Sequence, residues 1–236
     1  MNLNEMASQA PLFIKNTVAI FSGPKRFISA LRLESSDALR SALIYYALAI
    51  AVSLALELPF VGQTGGFSDQ LPTVVLFFTV GILLSNVLIT LALYVVGGRS
   101  GYRNNLVVTC YIWGMSALIW STGALMSKGV VIIQEPSLLP QYLEYMQLLL
   151  AKSEAIKDPQ FEVIGQSVGV LQAILVFAAF LVVLMVWFLF SWAGYRSINI
   201  LSGQRSIVAL IIFLICLYPL TKIMSAIQHA IGLMLF

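Results

Sequence analysis

Charged side chains stand far apart in this chain, and the gaps between them are about as long as a bilayer is thick. After Arg40 no charge occurs until Glu57, and the stretches 70–98, 104–127, 163–195 and 206–221 are likewise uncharged. A hydrocarbon core of about 30 Å takes roughly 20 apolar residues as a helix, and each ionised side chain at mid-depth costs about 2.5 to 3.5 kcal/mol. The charges therefore mark where spans end, and five spans are expected near residues 41–60, 73–97, 105–127, 166–192 and 206–226. The fifth contains Pro219, which should kink it, and Lys222, whose ammonium must reach outward; residues 223–236 then continue the crossing or lie at the interface. Composition excludes a soluble or disordered chain, since 60% of the 236 residues are hydrophobic and 10% charged, against about 25% charged in soluble domains. Lipid-exposed backbone must satisfy its own hydrogen bonds, and the apolar runs lack the alternation of barrel strands. The expected fold is all-α, a polytopic helical membrane bundle with five transmembrane helices.

Orientation follows from the basic residues. Lys15, Lys25, Arg26, Arg32 and Arg40 precede the first span, Arg99 and Arg103 lie between the second and third, and Arg196 and Arg205 between the fourth and fifth. The opposite side receives Lys128, Lys152, Lys157 and Lys222 together with seven acidic residues, Glu57, Asp69, Glu135, Glu144, Glu154, Asp158 and Glu162. Nine cations against four place the amino terminus in the cytoplasm and the carboxyl terminus outside or in a lumen. Residues 1–10 supply no basic stretch ahead of an uninterrupted apolar core, so the first span is expected to stay in the mature chain.

Residues 1–40 form a cytoplasmic or interfacial segment. Within it, 11–36 is apolar in short stretches broken at Ser22, Gly23 and Pro24, which predicts two short helices joined by a bend. Phe27, Ile28 and Leu31 share a helical face beside Lys25, Arg26 and Arg32, either to recognise anionic lipid or to anchor the first span. The external loop 128–165 holds one expected helix, from near Pro140 to before Asp158, with Tyr142, Tyr145, Met146, Leu149 and Leu150 on one face. That face either caps an opening or rests on the bundle.

No enzymatic or cofactor pattern stands out. The single histidine, His229, lies in the tail; Cys110 and Cys216 sit alone in different spans; Gly97, Gly98 and Gly101 belong to a basic turn and make no phosphate loop. No catalytic residue, cofactor, metal or nucleic-acid site is therefore expected. Asn86 and Thr90 on the second span, Ser116, Ser121 and Thr122 on the third, and Gln166 and Gln172 on the fourth either line a polar route or form interhelical hydrogen bonds. Glu57 and Lys222 fall near outer span ends, either pairing or reaching water independently. Ala47, Ala51 and Ala55, and Gly165 with Gly169, are expected to let helices approach closely. Trp113, Trp120, Trp187 and Trp192 read as interfacial anchors.

Three stretches carry a family resemblance: 21–48 (FSGPKRFISALRLESSDALRSALIYYAL), 95–114 (VVGGRSGYRNNLVVTCYIWG) and 192–211 (WAGYRSINILSGQRSIVALI). In order, they resemble the Yip family, integral membrane proteins with five spans that interact with Ypt/Rab GTPases. The resemblance implies a Yip domain, a cytoplasmic amino terminus and a short external tail. Eukaryotic members are trafficking factors that engage GTPases through a long amino-terminal region. Here only about forty residues precede the first span, closer to the short prokaryotic members and to a prokaryotic inner membrane.

The expected function is non-enzymatic. The protein associates with membrane components or organises the bilayer through its basic cytoplasmic turns, with Arg99, Arg103, Arg196 and Arg205 as contacts for partners or anionic lipids. The expected partners are the bilayer itself, other membrane proteins or further copies of the chain. The alternative is a carrier or lipid translocator whose polar route passes Asn86, Thr90 and Gln172. Topology is testable directly: single cysteines at Lys15 and Arg103 should stay silent to an impermeant thiol reagent in intact cells, while one at Tyr145 reacts. The reverse pattern would overturn the orientation.

Overall fold

In the computed structural model of the chain, residues 3–61, 67–150, 164 and 166–235 are described, and among them there is no strand. The helices are α1 (Leu3–Ser22), α2 (Pro24–Ser29), α3 (Ser36–Val61), α4 (Phe67–Val95), α5 (Tyr102–Gln134), α6 (Leu139–Leu150), α7 (Val168–Ile198) and α8 (Gly203–Leu235), with a 3-10 turn at Pro136–Leu138. Four stretches are long and apolar enough to cross a membrane: Asp37–Phe60, Phe78–Val95, Tyr102–Gln134 and Val168–Ile198. The first four expected spans fall on them. In α8 the apolar stretch among described residues, Gly203–Pro219, is shorter. The helix itself runs on through Pro219.

Fewer than a third of the residues of Val168–Ile198 are buried, and Leu175, Val182, Met185 and Phe190 are each at least 60% exposed. So wide an apolar surface would associate in water, whereas lipid tails cover it at no cost.

The chain divides into two compact units, residues 1–50, 68–116 and 187–236 in one and 51–67 and 117–186 in the other, so that α3, α5 and α7 each contribute to both. In the first unit the expected bend is present. Gly23 stands between α1 and α2, and Pro24 opens α2, where its missing N–H is of no consequence. The two short helices lie on the bundle: Phe13 meets Tyr45 of α3 at 5.3 Å between ring centroids, and Phe27 meets the edge of Tyr111 of α5 at 5.0 Å. Ile28 is fully buried over Gly194 of α7, where an added Cβ would lie 2.2 Å from its Cδ1. The apolar face of α2 thus anchors on protein, and Lys25 and Arg26 are left exposed.

Helix approach uses different small residues from those expected. Ala47, Ala51 and Ala55 are all exposed, because the buried side of α3 is the one carrying Ala42, Tyr45, Tyr46, Ala49 and Ile50. The close contact of α3 with α5 is at Gly114, where a Cβ would come within 3.2 Å of Ala49 Cβ and 3.0 Å of the Tyr45 ring. Gly165 lies outside the described residues, and Gly169 meets the side chains of Gln134 and Glu135.

In the second unit α5 continues six residues beyond Lys128, well into the stretch expected to be loop. The ammonium is no obstacle because it pairs with Glu57 of α3 and lies 4.6 Å over the Phe60 ring, so both charges are compensated where they sit. Glu57 therefore has Lys128 as its partner. Lys222 is exposed, 5.8 Å over the Tyr218 ring.

The expected loop helix is α6. Leu139, Tyr142 and Leu143 are buried with Phe60, Val131, Val170 and Ala173, while Tyr145 and Met146 pack against that cluster. Leu149 is exposed, since the buried stripe follows 139, 142, 143 and 146 and leaves 149 on its edge. Any continuation toward Asp158 lies outside the described residues. Burial pushes the Tyr142 phenol above its ordinary range, partly offset by a hydrogen bond to Ser127.

Gly123 is the most closely approached of the described glycines in this unit: a Cβ there would stand 2.5 Å from Phe180 Cβ of α7, whereas Gly129 has open space. Gly123→Ala should cost about 1 to 3 kcal/mol by overpacking, and Gly129→Ala should cost nothing. Thermal unfolding of the two variants in detergent checks the contrast, and equal midpoints would remove Gly123 as the contact point.

Candidate functional site

Three helices of the first unit each carry a pair of polar residues four apart: Asn86 and Thr90 on α4, Asn105 and Thr109 on α5, Tyr195 and Asn199 at the end of α7 and just beyond. Positions i and i+4 share a helix face, so each pair presents two polar groups to the same neighbour. Asn86, Asn105, Thr109, Tyr195 and Asn199 are at most 1% exposed.

Their hydrogen bonds form one connected set. Thr109 Oγ1 lies 2.8 Å from Asn86 Oδ1, 2.8 Å from the Asn105 carbonyl and 2.8 Å from the Tyr195 hydroxyl. A hydroxyl has one proton to give; when Thr109 donates to Asn86 or to the carbonyl, the Tyr195 O–H is the group that donates to Thr109. Asn86 Nδ2 donates to the Tyr102 carbonyl at 3.2 Å. Asn105 Nδ2 donates to Thr90 Oγ1 at 3.2 Å. Asn199 Nδ2 donates to Asn105 Oδ1 at 3.1 Å and to the Tyr195 carbonyl at 3.0 Å, while its Oδ1 accepts the Ser100 N–H at 3.1 Å. Every amide in the set is thus engaged, as a site away from water requires.

The set also seats two turns. α4 ends with Gly97 at φ 89°, Gly97 N–H donating to Tyr94 O at 2.9 Å and Gly98 N–H to Leu93 O at 2.8 Å, the paired bonds of a Schellman cap. α7 ends on the same pattern, Ile200 N–H to Ser197 O and Leu201 N–H to Arg196 O. There the left-handed residue is Ile200, at φ 54°, a conformation costing about 1 to 2 kcal/mol for a side chain with a Cβ. Gly98 backs onto Asn199, and a Cβ there would stand 2.7 Å from Asn199 Oδ1. The turn 96–101 and the turn 199–202, a hundred residues apart, are therefore held against each other.

Arg99 lies in the first of those turns, and Arg103, Arg196 and Arg205 stand in the helix ends that flank them; all four are exposed. Arg103 Nη2 donates to the Ser35 carbonyl at 3.0 Å, and Arg196 Nε to the Leu201 carbonyl at 3.2 Å, so these two brace the fold. Arg205 Nη1 reaches across to within 3.5 Å of the Cβ position of Gly97. Trp192 Nε1 donates to the Ser206 carbonyl at 3.0 Å and stacks on Phe213 at 5.7 Å. Trp187 and Trp192 are buried at 6% and 4% and so pack inside the unit, where an interfacial place was expected.

Of the residues expected on a polar route, Asn86 and Thr90 belong to this bonded set. Gln172 belongs to the other unit, where it is exposed and accepts from Gln134. Ser116, Ser121 and Thr122 return their hydroxyl protons to carbonyls of their own helix. Asn105, Thr109, Tyr195 and Asn199 were not singled out from the sequence, although recurrence of polar pairs at i, i+4 near three span ends is a signal that marks them. Also in the second unit, Glu135 accepts from Ser167 Oγ and from the Gly169 N–H at 3.3 Å, tying the end of α5 to the start of α7.

Among the described residues no group of three or more His, Cys, Asp or Glu could hold a metal. Fold and site together define a helical protein of membrane-crossing character in which Asn86, Asn105, Thr109, Tyr195 and Asn199 bond to one another and to nearby backbone. No family model, no curated protein and no solved structure matches the chain.

Thr109→Val keeps the shape but strands the Tyr195 hydroxyl and deprives Asn86, and should cost about 1 to 3 kcal/mol. Tyr195→Phe should cost about 0.6 kcal/mol, and the double variant less than the sum. Unfolding of the three variants in detergent checks this; strict additivity would show that the bond carries no coupling.

Proposed function

We propose that the chain is a five-span, non-enzymatic integral membrane protein of Yip type, amino terminus in the cytoplasm, that associates with other membrane components through its basic turns. The observation that carries the reading is the joining of the turns 96–101 and 199–202 by Asn199, which gathers exposed arginines from distant parts of the chain into one region. A polar route past Asn86 and Thr90 has less support, because both are occupied by hydrogen bonds to α5.

The fifth span is supported by α8. Its Ile207, Ile211, Ile215 and Tyr218 are each at least 50% exposed, an apolar face like those of α3 and α7, and 33 residues of helix extend about 50 Å. With an odd number of spans, the positive-inside bias puts the basic turns and the amino terminus on the same, cytoplasmic side. The resemblance to short prokaryotic Yip proteins supports a prokaryotic inner membrane as its location.

The guanidinium groups of Arg99 and Arg205 make no hydrogen bond or ion pair among the described residues, so reversing them tests the face without removing a brace. With the protein held in neutral-lipid nanodiscs, Arg99→Glu with Arg205→Glu should weaken docking onto separate anionic vesicles by about thirtyfold or more at low salt, two cations at about 1 kcal/mol each. Docking unchanged by the double reversal would rule the basic turns out as the contact.

A further inference from the structure

The elbow between α1 and α2 leaves a cleft against α7 of about 730 Å³, bounded by Phe21, Lys25, Arg26, Trp187, Phe190 and Ala193. It exists because Gly23 interrupts the helix: α1 stops, Pro24 restarts the chain in a new direction, and the two do not fill the surface of α7 below the bend. Its character is two-sided. Trp187 is 6% exposed with a buried indole nitrogen, so what it offers the cleft is hydrocarbon, while Phe21 and Phe190 are 51% and 69% exposed. At the other end stand Lys25 and Arg26, both exposed, with no acidic residue among those bounding the cleft and no ion pair to either among the described residues.

The neighbouring hydroxyls do not add to the donor set. Ser22 Oγ gives its proton to Val18 O at 2.8 Å, and Ser29 Oγ to Lys25 O at 2.8 Å. The donors open to a ligand are an ammonium and a guanidinium, the pair suited to phosphate. Depth agrees with this division. Phe190 lies eight residues before Ile198, the end of α7, or about 12 Å along the helix, so the aromatic walls reach from the headgroup level into the start of the hydrocarbon.

We infer that this cleft binds an anionic glycerophospholipid, its phosphate between Lys25 and Arg26 and the first part of its acyl chains along Phe21, Trp187 and Phe190. The inference rests on the membrane reading above but not on the basic turns, which are different residues. A free phosphate would satisfy the cations and leave the aromatic walls uncovered, so the lipid is the occupant to which the geometry commits.

Native mass spectrometry of the full chain in detergent tests it, with phosphatidylglycerol, phosphatidylcholine and sn-glycerol 3-phosphate as probes. One phosphatidylglycerol should be retained in preference to phosphatidylcholine. Lys25→Gln with Arg26→Gln should weaken that retention about thirtyfold. Phe190→Ala, at an exposed position where folding is not at stake, should weaken it severalfold. Arg99→Glu with Arg205→Glu should leave it unchanged. Retention by the Lys25/Arg26 variant equal to that of the natural chain overturns the proposal, as does equal loss in both double variants, which marks diffuse attraction. Displacement of the lipid by sn-glycerol 3-phosphate at matching concentration overturns the lipid as occupant. Vesicle docking that survives Arg99/Arg205 reversal, with lipid retention still dependent on Lys25 and Arg26, removes the basic-turn reading and leaves the cleft standing.

Discussion

A polar group that has left water must find its partner inside the protein, and in the first unit that requirement organises everything else. Asn86, Asn105, Thr109, Tyr195 and Asn199 are shut away from solvent, and each can be satisfied only if α4, α5 and α7 stand in one register. Apolar side chains between membrane helices slide with little penalty, because lipid is as good a neighbour as leucine. Amides and hydroxyls do not, and a shift of one residue would break several bonds together. The turns inherit that order, since Asn199 holds Ser100 and Asn105 at once, and the arginines inherit it from the turns.

The second unit solves a different problem with a different interaction. Glu57 and Lys128 lie in helices that must be apolar, and each cancels the other's charge. Glu135 ties down the start of α7 by accepting hydrogen bonds from the Ser167 hydroxyl and the Gly169 N–H. Around these polar ties the aromatic and aliphatic cluster of Phe60, Val131, Tyr142 and Val170 holds α6 in place.

What could be read from the sequence was set by terms large enough to act alone. Charge spacing located four helices of membrane-crossing length, and the Ser22–Gly23–Pro24 break located the elbow, because an ionised group in lipid or a proline in mid-helix overrides its surroundings. Pairing was harder. Lys128 looked like the end of a span because its partner, Glu57, sits 71 residues away, and nothing local reveals that the charge is cancelled. The alanines at 47, 51 and 55 and the glycines at 114 and 123 are all small, and the direction of the buried face, which no local pattern reveals, decides which of them a neighbouring helix approaches. Trp187 and Trp192 lie near a span end, as interfacial anchors do, but the packing of α8 against Trp192 is a tertiary fact. In the site itself Asn86 and Thr90 were visible as polar residues in an apolar run. Their partners stood so close to span boundaries that they read as ordinary flanks.

The Glu57–Lys128 pair bears on how the protein is made. During synthesis α3 leaves the ribosome before α5, and at about 5 to 20 residues per second the interval of 71 residues lasts about 4 to 14 s. For that time the carboxylate is without the counter-ion it has in the folded chain. The pair therefore links two helices that are not consecutive in the chain, and it forms only once α5 has been made.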